Sequence, residues 1–160
     1  MVVTIRSLLV STLVLCCALT CAVSSEDGAE NDLSVNETNL AFTLVNLNEL
    51  AEENPLGNGS QSSVIPVASE ENASINFVQM VPGASIPLHY HGSHDELVYI
   101  IEGEGMMEIN GEEHILQPFD MLYIPLGAIH SLTAINDKNL KVISIFAPAF
   151  DGVDRVYVQA

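Results

Sequence analysis

From residue 64 onward, apolar and polar positions alternate in short runs separated by turn residues. The runs are VIPVA (64–68), SINFVQMV (74–81), ELVYIIEG (96–103), GMMEI (105–109), EEHILQ (112–117), DMLYIP (120–125), IHSLTAI (129–135) and LKVISIF (140–146), with YVQ (157–159) closing the pattern. A period of two turns one face of each run toward a core and the other toward water, which is the signature of a half-buried strand. Asn110-Gly111 between two of the runs predicts a two-residue hairpin. Eight or more short strands at this spacing predict a β-sandwich or closed barrel, and no long helix-period segment competes with them. Upstream, NLAFTLVN (39–46) predicts a first strand, residues 47–53 one helical turn, and residues 54–63 a turn-rich loop.

The 160 residues leave room for one ordinary domain, expected over residues 39–160. Residues 1–22 have a different character. Arg6 precedes an apolar run from Leu8 to Leu19, and the small-residue tripeptide Thr20-Cys21-Ala22 follows. That layout predicts a secretory signal cleaved after Ala22, since the run is short for a membrane span and no basic stop-transfer cluster follows it. All three cysteines, Cys16, Cys17 and Cys21, lie inside it. The secreted chain would then carry no disulfide and no thiolate for catalysis. Residues 23–38 are polar and acidic without periodicity and read as a disordered tail. Sequons at Asn36, Asn58 and Asn72 predict a glycoprotein if the source is eukaryotic.

Charge narrows the partners. The formal net charge is −17. After signal removal, Lys138, Lys141 and Arg155 face 21 acids, a net of −18. Such a surface repels nucleic acid and anionic membranes and attracts cations. It serves solubility, or it gathers Ca²⁺ at a mineral surface.

Histidine is scarce, and its placement carries the chemistry. Of the five, His89, His91 and His94 lie within six residues, His130 follows about forty residues on, and His114 is the fifth. On an extended segment His89 and His91 share a face, which makes a ready chelate. Glu96 shares parity with Val98 and Ile100, and His130 with Leu132 and Ala134, so both polar groups point toward an apolar interior. A buried carboxylate without a partner is costly. A cation held by His89, His91, Glu96 and His130 satisfies all four, and three imidazoles with one carboxylate suit Mn²⁺, Fe²⁺, Zn²⁺, Ni²⁺ or Cu²⁺.

The spacing Gly83-x5-His89-x-His91-x4-Glu96-x6-Gly103 resembles the first motif of the cupin superfamily at each defining position. Pro125, Gly127 and His130 match the second motif, while Phe119 stands where a glycine is usual and Ala134 where an asparagine is usual. The resemblance is firm over residues 83–134. It implies a single-domain jelly-roll barrel (a double-stranded β-helix) with one divalent metal inside, Mn or Fe favoured, on His89, His91, Glu96 and His130, and assembly into dimers or larger oligomers. Secretion, sequons and acidity are similar to the germin-like branch, but those proteins are longer and carry an N-terminal disulfide that the secreted chain would lack.

The reaction stays open, because a site fixes where a metal sits and not what it does. One class is a metal-dependent oxidoreductase, decarboxylase or dioxygenase acting on a small molecule. The other is a non-catalytic acidic extracellular matrix or biomineral-associated protein. His94, beside the ligands, is the candidate proton-transfer residue, against the reading of a solvated loop histidine. Tyr99 and Tyr123 have outward parity. Met80, Val98, Met106 and Leu132 are candidates to line an apolar pocket. Arg and Lys form no cluster inside the domain, which argues against a phosphate or nucleotide-sugar pocket.

Overall fold

A computed structural model describes residues 42–159. The expected signal (1–22), the acidic tail (23–38) and the sequon at Asn36 lie outside the described residues. Along the chain come α1 (Leu47–Glu53), β1 (Ser62–Glu70), β2 (Ala73–Met80), β3 (Ser85–His91), β4 (Asp95–Glu102), β5 (Glu104–Ile109), β6 (Glu112–Leu116), β7 (Met121–Ile124), β8 (His130–Ile135), β9 (Leu140–Ala147) and β10 (Arg155–Tyr157). The strands form two five-stranded antiparallel sheets, ordered β1-β2-β9-β4-β7 and β10-β3-β8-β5-β6. This is the jelly-roll, all-β class the sequence predicts.

Alternation along the strands builds the interior. β4 buries Glu96, Val98 and Ile100, β8 buries His130, Leu132 and Ala134, and β9 buries Leu140, Val142, Ser144 and Phe146. The inward apolar positions of both sheets meet in one core with Met80 and Met107. Met80, Ile100, Met107 and Leu140 are fully sealed from water, each contributing about 1.5–3 kcal/mol of burial free energy. The Asn110-Gly111 turn is the expected hairpin, with both residues at positive φ and Ile109 paired to Glu112.

Four expectations need correction. Residues 42–46 form no strand. Asn46 instead caps α1, its side chain accepting from the backbone N–H groups of Asn48 and Glu49, so the chain commits to a helix there. Phe42 and Leu44 are left exposed. The helix runs seven residues, nearly two turns rather than one. The closing strand begins at Arg155, two residues before YVQ. Met107, not Met106, faces the core.

The departures from the second motif are accommodated locally. Phe119 adopts φ +78 with its ring exposed. Its N–H donates to Ile100 O at 2.9 Å, and the turn is closed by Asp120 N–H to Gln117 O at 2.9 Å and Gln117 N–H to the Asp120 carboxylate at 2.8 Å. Ala134 is core, and Asn136 reaches the Glu104 carboxylate from a left-handed turn position.

Candidate metal centre

Two neighbouring strands and one facing strand bring the candidate ligands together. His89 and His91 stand on β3, and His130 on β8 lies directly opposite His89. Glu96 comes from β4 in the other sheet. A bulge makes this possible. The register slips between Ile86 and His89, so that Ile86, His89 and His91 all face the interior despite the odd spacing of the first two. Pro87 sits in the bulge, where its missing N–H is tolerated.

Each histidine is held by its Nδ1. In His89 that atom lies 2.8 Å from Pro87 O, and in His130 2.9 Å from Ala128 O. A carbonyl only accepts, so both nitrogens carry the proton and Nε2 presents a lone pair. In His91 the Nδ1 lies 3.0 Å from Nε2 of His94, whose own Nδ1 is 3.1 Å from the Asp154 carboxylate. Read from the acceptor end, protons run in one direction: His94 donates to Asp154, and His91 donates to His94. His91 Nε2 is then bare, buried, and without a hydrogen-bond partner. It points to within 3.6 Å of Glu96 Oε2, which is also 3.1 Å from His130 Nε2.

All four side chains are buried, and their ligand atoms lie within 4.8 Å of one another. Burial pushes the Glu96 carboxyl up, but hydrogen bonds, from His130 and His91 with a proton at Nε2 in place of a cation and from Ser144, outweigh it and hold the group well below the usual carboxylate range. Ser144 donates to its other oxygen at 2.5 Å. Burial lowers His89 to about 4, partly opposed by the Pro87 carbonyl. With a cation in place of that Nε2 proton, the centre would present an ionised carboxylate and three imidazole lone pairs, a donor set that fits a divalent cation. His91, His94 and Asp154 form a second close group. The Asp154 oxygens there already accept from Gly92 N–H, Ser93 N–H and Ser93 Oγ at 2.6–2.9 Å, which makes this group a hydrogen-bonded brace.

The expected solvated loop position of His94 is not what the structure shows. His94 is 2% exposed, packed edge-on against Phe146 and Phe150. Burial, with His91 beside it, lowers its pKa, while Asp154 opposes this. It lines neither chamber described below, so its place is behind His91. The outward parity of Tyr99 and Tyr123 holds, Tyr123 being 59% exposed.

A chamber of about 30 Å³ lies against His89, Glu96 and His130, room for roughly two water-sized occupants. It shares Ile86, Glu96, Val98, Leu132 and Arg155 with a larger cavity of about 150 Å³. Of the expected lining residues, Val98 and Leu132 are present, Met107 replaces Met106, and Met80 lies deeper in the core. Arg155 was hidden from sequence reasoning. Only the register of β10 against β3, with Arg155 opposite His91, carries it to the site.

Residues 76–146 match the family model described as the cupin domain. An uncharacterized protein of Aquifex aeolicus is 30% identical over 113 residues, 71% of this chain and 90% of that protein. The quercetin 2,3-dioxygenase of Bacillus subtilis is 31% identical over 86 residues, 51% of this chain and 25% of that enzyme. The solved structure of a Thermus thermophilus protein aligns with a TM-score of 0.61 at 26% identity, covering 68% of this chain and all of that one.

Proposed function

Since this chain belongs to the cupin superfamily, we propose that it is a secreted protein that holds one divalent metal on His89, His91, Glu96 and His130 and acts there on a small molecule. The observation that carries the reading is the buried, unpartnered Nε2 of His91, aimed at an ionised Glu96. An orphaned buried nitrogen costs about 1–3 kcal/mol, which a bound cation removes. Secretion rests on the apolar run of residues 8–19 and the small residues that follow.

The bound metal would supply Lewis acidity and, for Mn or Fe, access to O₂ chemistry. The chain itself does the rest. Pro87, Ala128 and His94 fix the three imidazole tautomers. Ser144 holds one Glu96 oxygen and thereby orients the carboxylate. Val98, Leu132, Val142 and Phe146 make a largely apolar cavity that takes a small molecule and limits bulk water. The reaction class we favour is an oxidative or decarboxylating step on such a molecule, in keeping with the named dioxygenase among its relatives.

Protein loaded separately with Mn²⁺ and Fe²⁺ and assayed for O₂ uptake and CO₂ release over a panel of small acids and phenols tests this. Turnover with at least one metal is expected. Absence of turnover with every metal defeats the enzymatic reading. An acidic surface protein would instead bind Ca²⁺ or carbonate mineral, with binding unchanged by His91→Ala.

The brace behind His91 gives a separate expectation. Replacing His94 by alanine, or Asp154 by asparagine, releases the ring from its fixed tautomer. Metal affinity, read by competition with a chelator, should fall about 10–100-fold. Affinity within about threefold of wild type in both variants, well short of that range, would mean that the brace is incidental.

A further inference from the structure

Arg155 is the unexplained charge at the cavity, half-buried with its Nε sealed from water. It is one of four cationic side chains, Lys and Arg together, in a chain with 21 acids. Lys141, by contrast, pairs with Glu102 at 2.7 Å. Among the described residues no carboxylate lies within ion-pair distance of Arg155, and its Nε is buried without a hydrogen-bond partner. Its place is set by strand pairing. Arg155 on β10 stands opposite His91 on β3, and cross-strand partners share a face. The side chain therefore enters the barrel beside the histidines and walls both chambers. The Phe150 ring lies 5.7 Å from the guanidinium carbon and backs it.

We propose that Arg155 is the anion-recognition residue of this cavity, and that the molecule acted on at the centre is a small carboxylate. The proposal rests on the metal-dependent reading above for its second half only. A guanidinium offers five donors in a planar fork that matches a carboxylate in two parallel hydrogen bonds. A buried, unpaired Nε in a cavity open to small molecules is the half of such a pair that the protein provides. A phosphate or a polyanion fits worse. A single Arg supplies the only fixed side-chain cation among the lining residues, and Glu96 stands nearby. Volume sets the size. A cavity of about 150 Å³ holds a benzene-sized molecule, about six heavy atoms. Val64, Val78, Val142 and Phe146 also line the cavity and give it apolar wall that suits a short hydrocarbon portion.

Lactate and lactamide, of equal size, separate charge from shape. Each is titrated calorimetrically into the Zn²⁺-loaded protein and into the metal-free protein. The intact chain should bind lactate about tenfold or more tightly than lactamide, because a charge-assisted pair is worth roughly 1.5–3 kcal/mol. Arg155→Gln and Arg155→Met, the latter keeping the packing along Phe150, should lose that preference while zinc content stays at one per chain. Circular dichroism identifies which neutral variant keeps the fold, and the preference must vanish in it. A preference retained in a folded neutral variant overturns the proposal, since the metal alone would then select the acid. No preference in the intact chain, loaded or metal-free, overturns it as well. A chain that takes up no zinc yet shows an Arg155-dependent preference defeats the metal reading and leaves the anion site standing.

Discussion

Replacing His89 and His91 together by alanine is expected to take metal content from one ion per chain to below about a tenth, with the barrel still folded. The two imidazoles are half of the donor set, and the lost nitrogens cannot be replaced from the surrounding walls, which besides the ligands are Ile86, Val98, Met107, Leu132 and the cationic Arg155. Elemental analysis beside the wild-type protein gives identity and stoichiometry together. Thermal unfolding gives the energy. A ligand at about a hundred times its dissociation constant stabilises by about 2.7 kcal/mol, which for a domain of this size is a shift on the order of 10 °C. Wild-type protein should show that shift on metal addition, and the double variant should show none. Glu96→Gln should behave differently from the histidine change. It keeps an acceptor for Ser144 but removes a carboxylate whose ionised form the fold favours, so its metal-free form should be less stable than wild type at neutral pH, and its affinity falls as well. Metal uptake by the double variant at wild-type stoichiometry would refute the four-residue assignment.

How far the sequence reached can be read at individual residues. Parity alone put Glu96 with Val98 and Ile100, and His130 with Leu132 and Ala134, and the structure buries all six together. Strand alternation is local, so it is legible wherever a strand is half buried. The histidine spacing revealed the cluster, but not the bulge at Pro87 that lets Ile86 and His89 face the same way. Bulges arise from pairing with a partner strand, which a single run of sequence does not display. Arg155 was missed for the same reason, because its position depends on a register with β3, remote in sequence. His94 looked like a loop residue by its neighbours Gly92, Ser93 and Asp95. Its burial comes from Asp154, Phe146 and Phe150, again distant along the chain. The failure at residues 42–46 has the opposite cause. There a local signal, the Asn46 cap, outweighed the apolar alternation, which found no neighbouring strand.

Gly103→Ala should be among the most destabilising single-methyl changes available in this chain. The residue sits at the corner between β4 and β5 with φ +78, and an added Cβ would lie 2.5 Å from Asn139 O and 2.8 Å from Leu140 Cα. Both are backbone atoms where β9 begins, so no side-chain rotation relieves the contact. The left-handed conformation costs a non-glycine residue about 1–2 kcal/mol, and forced displacement of packed structure costs about 1–3 kcal/mol more. A loss of about 2–5 kcal/mol is large against a domain stability of roughly 5–15 kcal/mol. Gly83→Ala isolates the two contributions. Its φ is +81, but a Cβ there meets nothing within 4 Å, so only the conformational part, about 1–2 kcal/mol, applies. Phe119→Gly should have the opposite sign. It releases an exposed ring from φ +78, and after the extra chain entropy of glycine it should gain about 0.5–1 kcal/mol. Urea unfolding of the three variants, with slopes compared to confirm one denatured state, ranks them. If Gly103→Ala and Gly83→Ala fall within experimental error of each other, the close approach of β9 to the β4–β5 corner carries no energy. The corner would then not be what holds β4, and Glu96 with it, in register against β9.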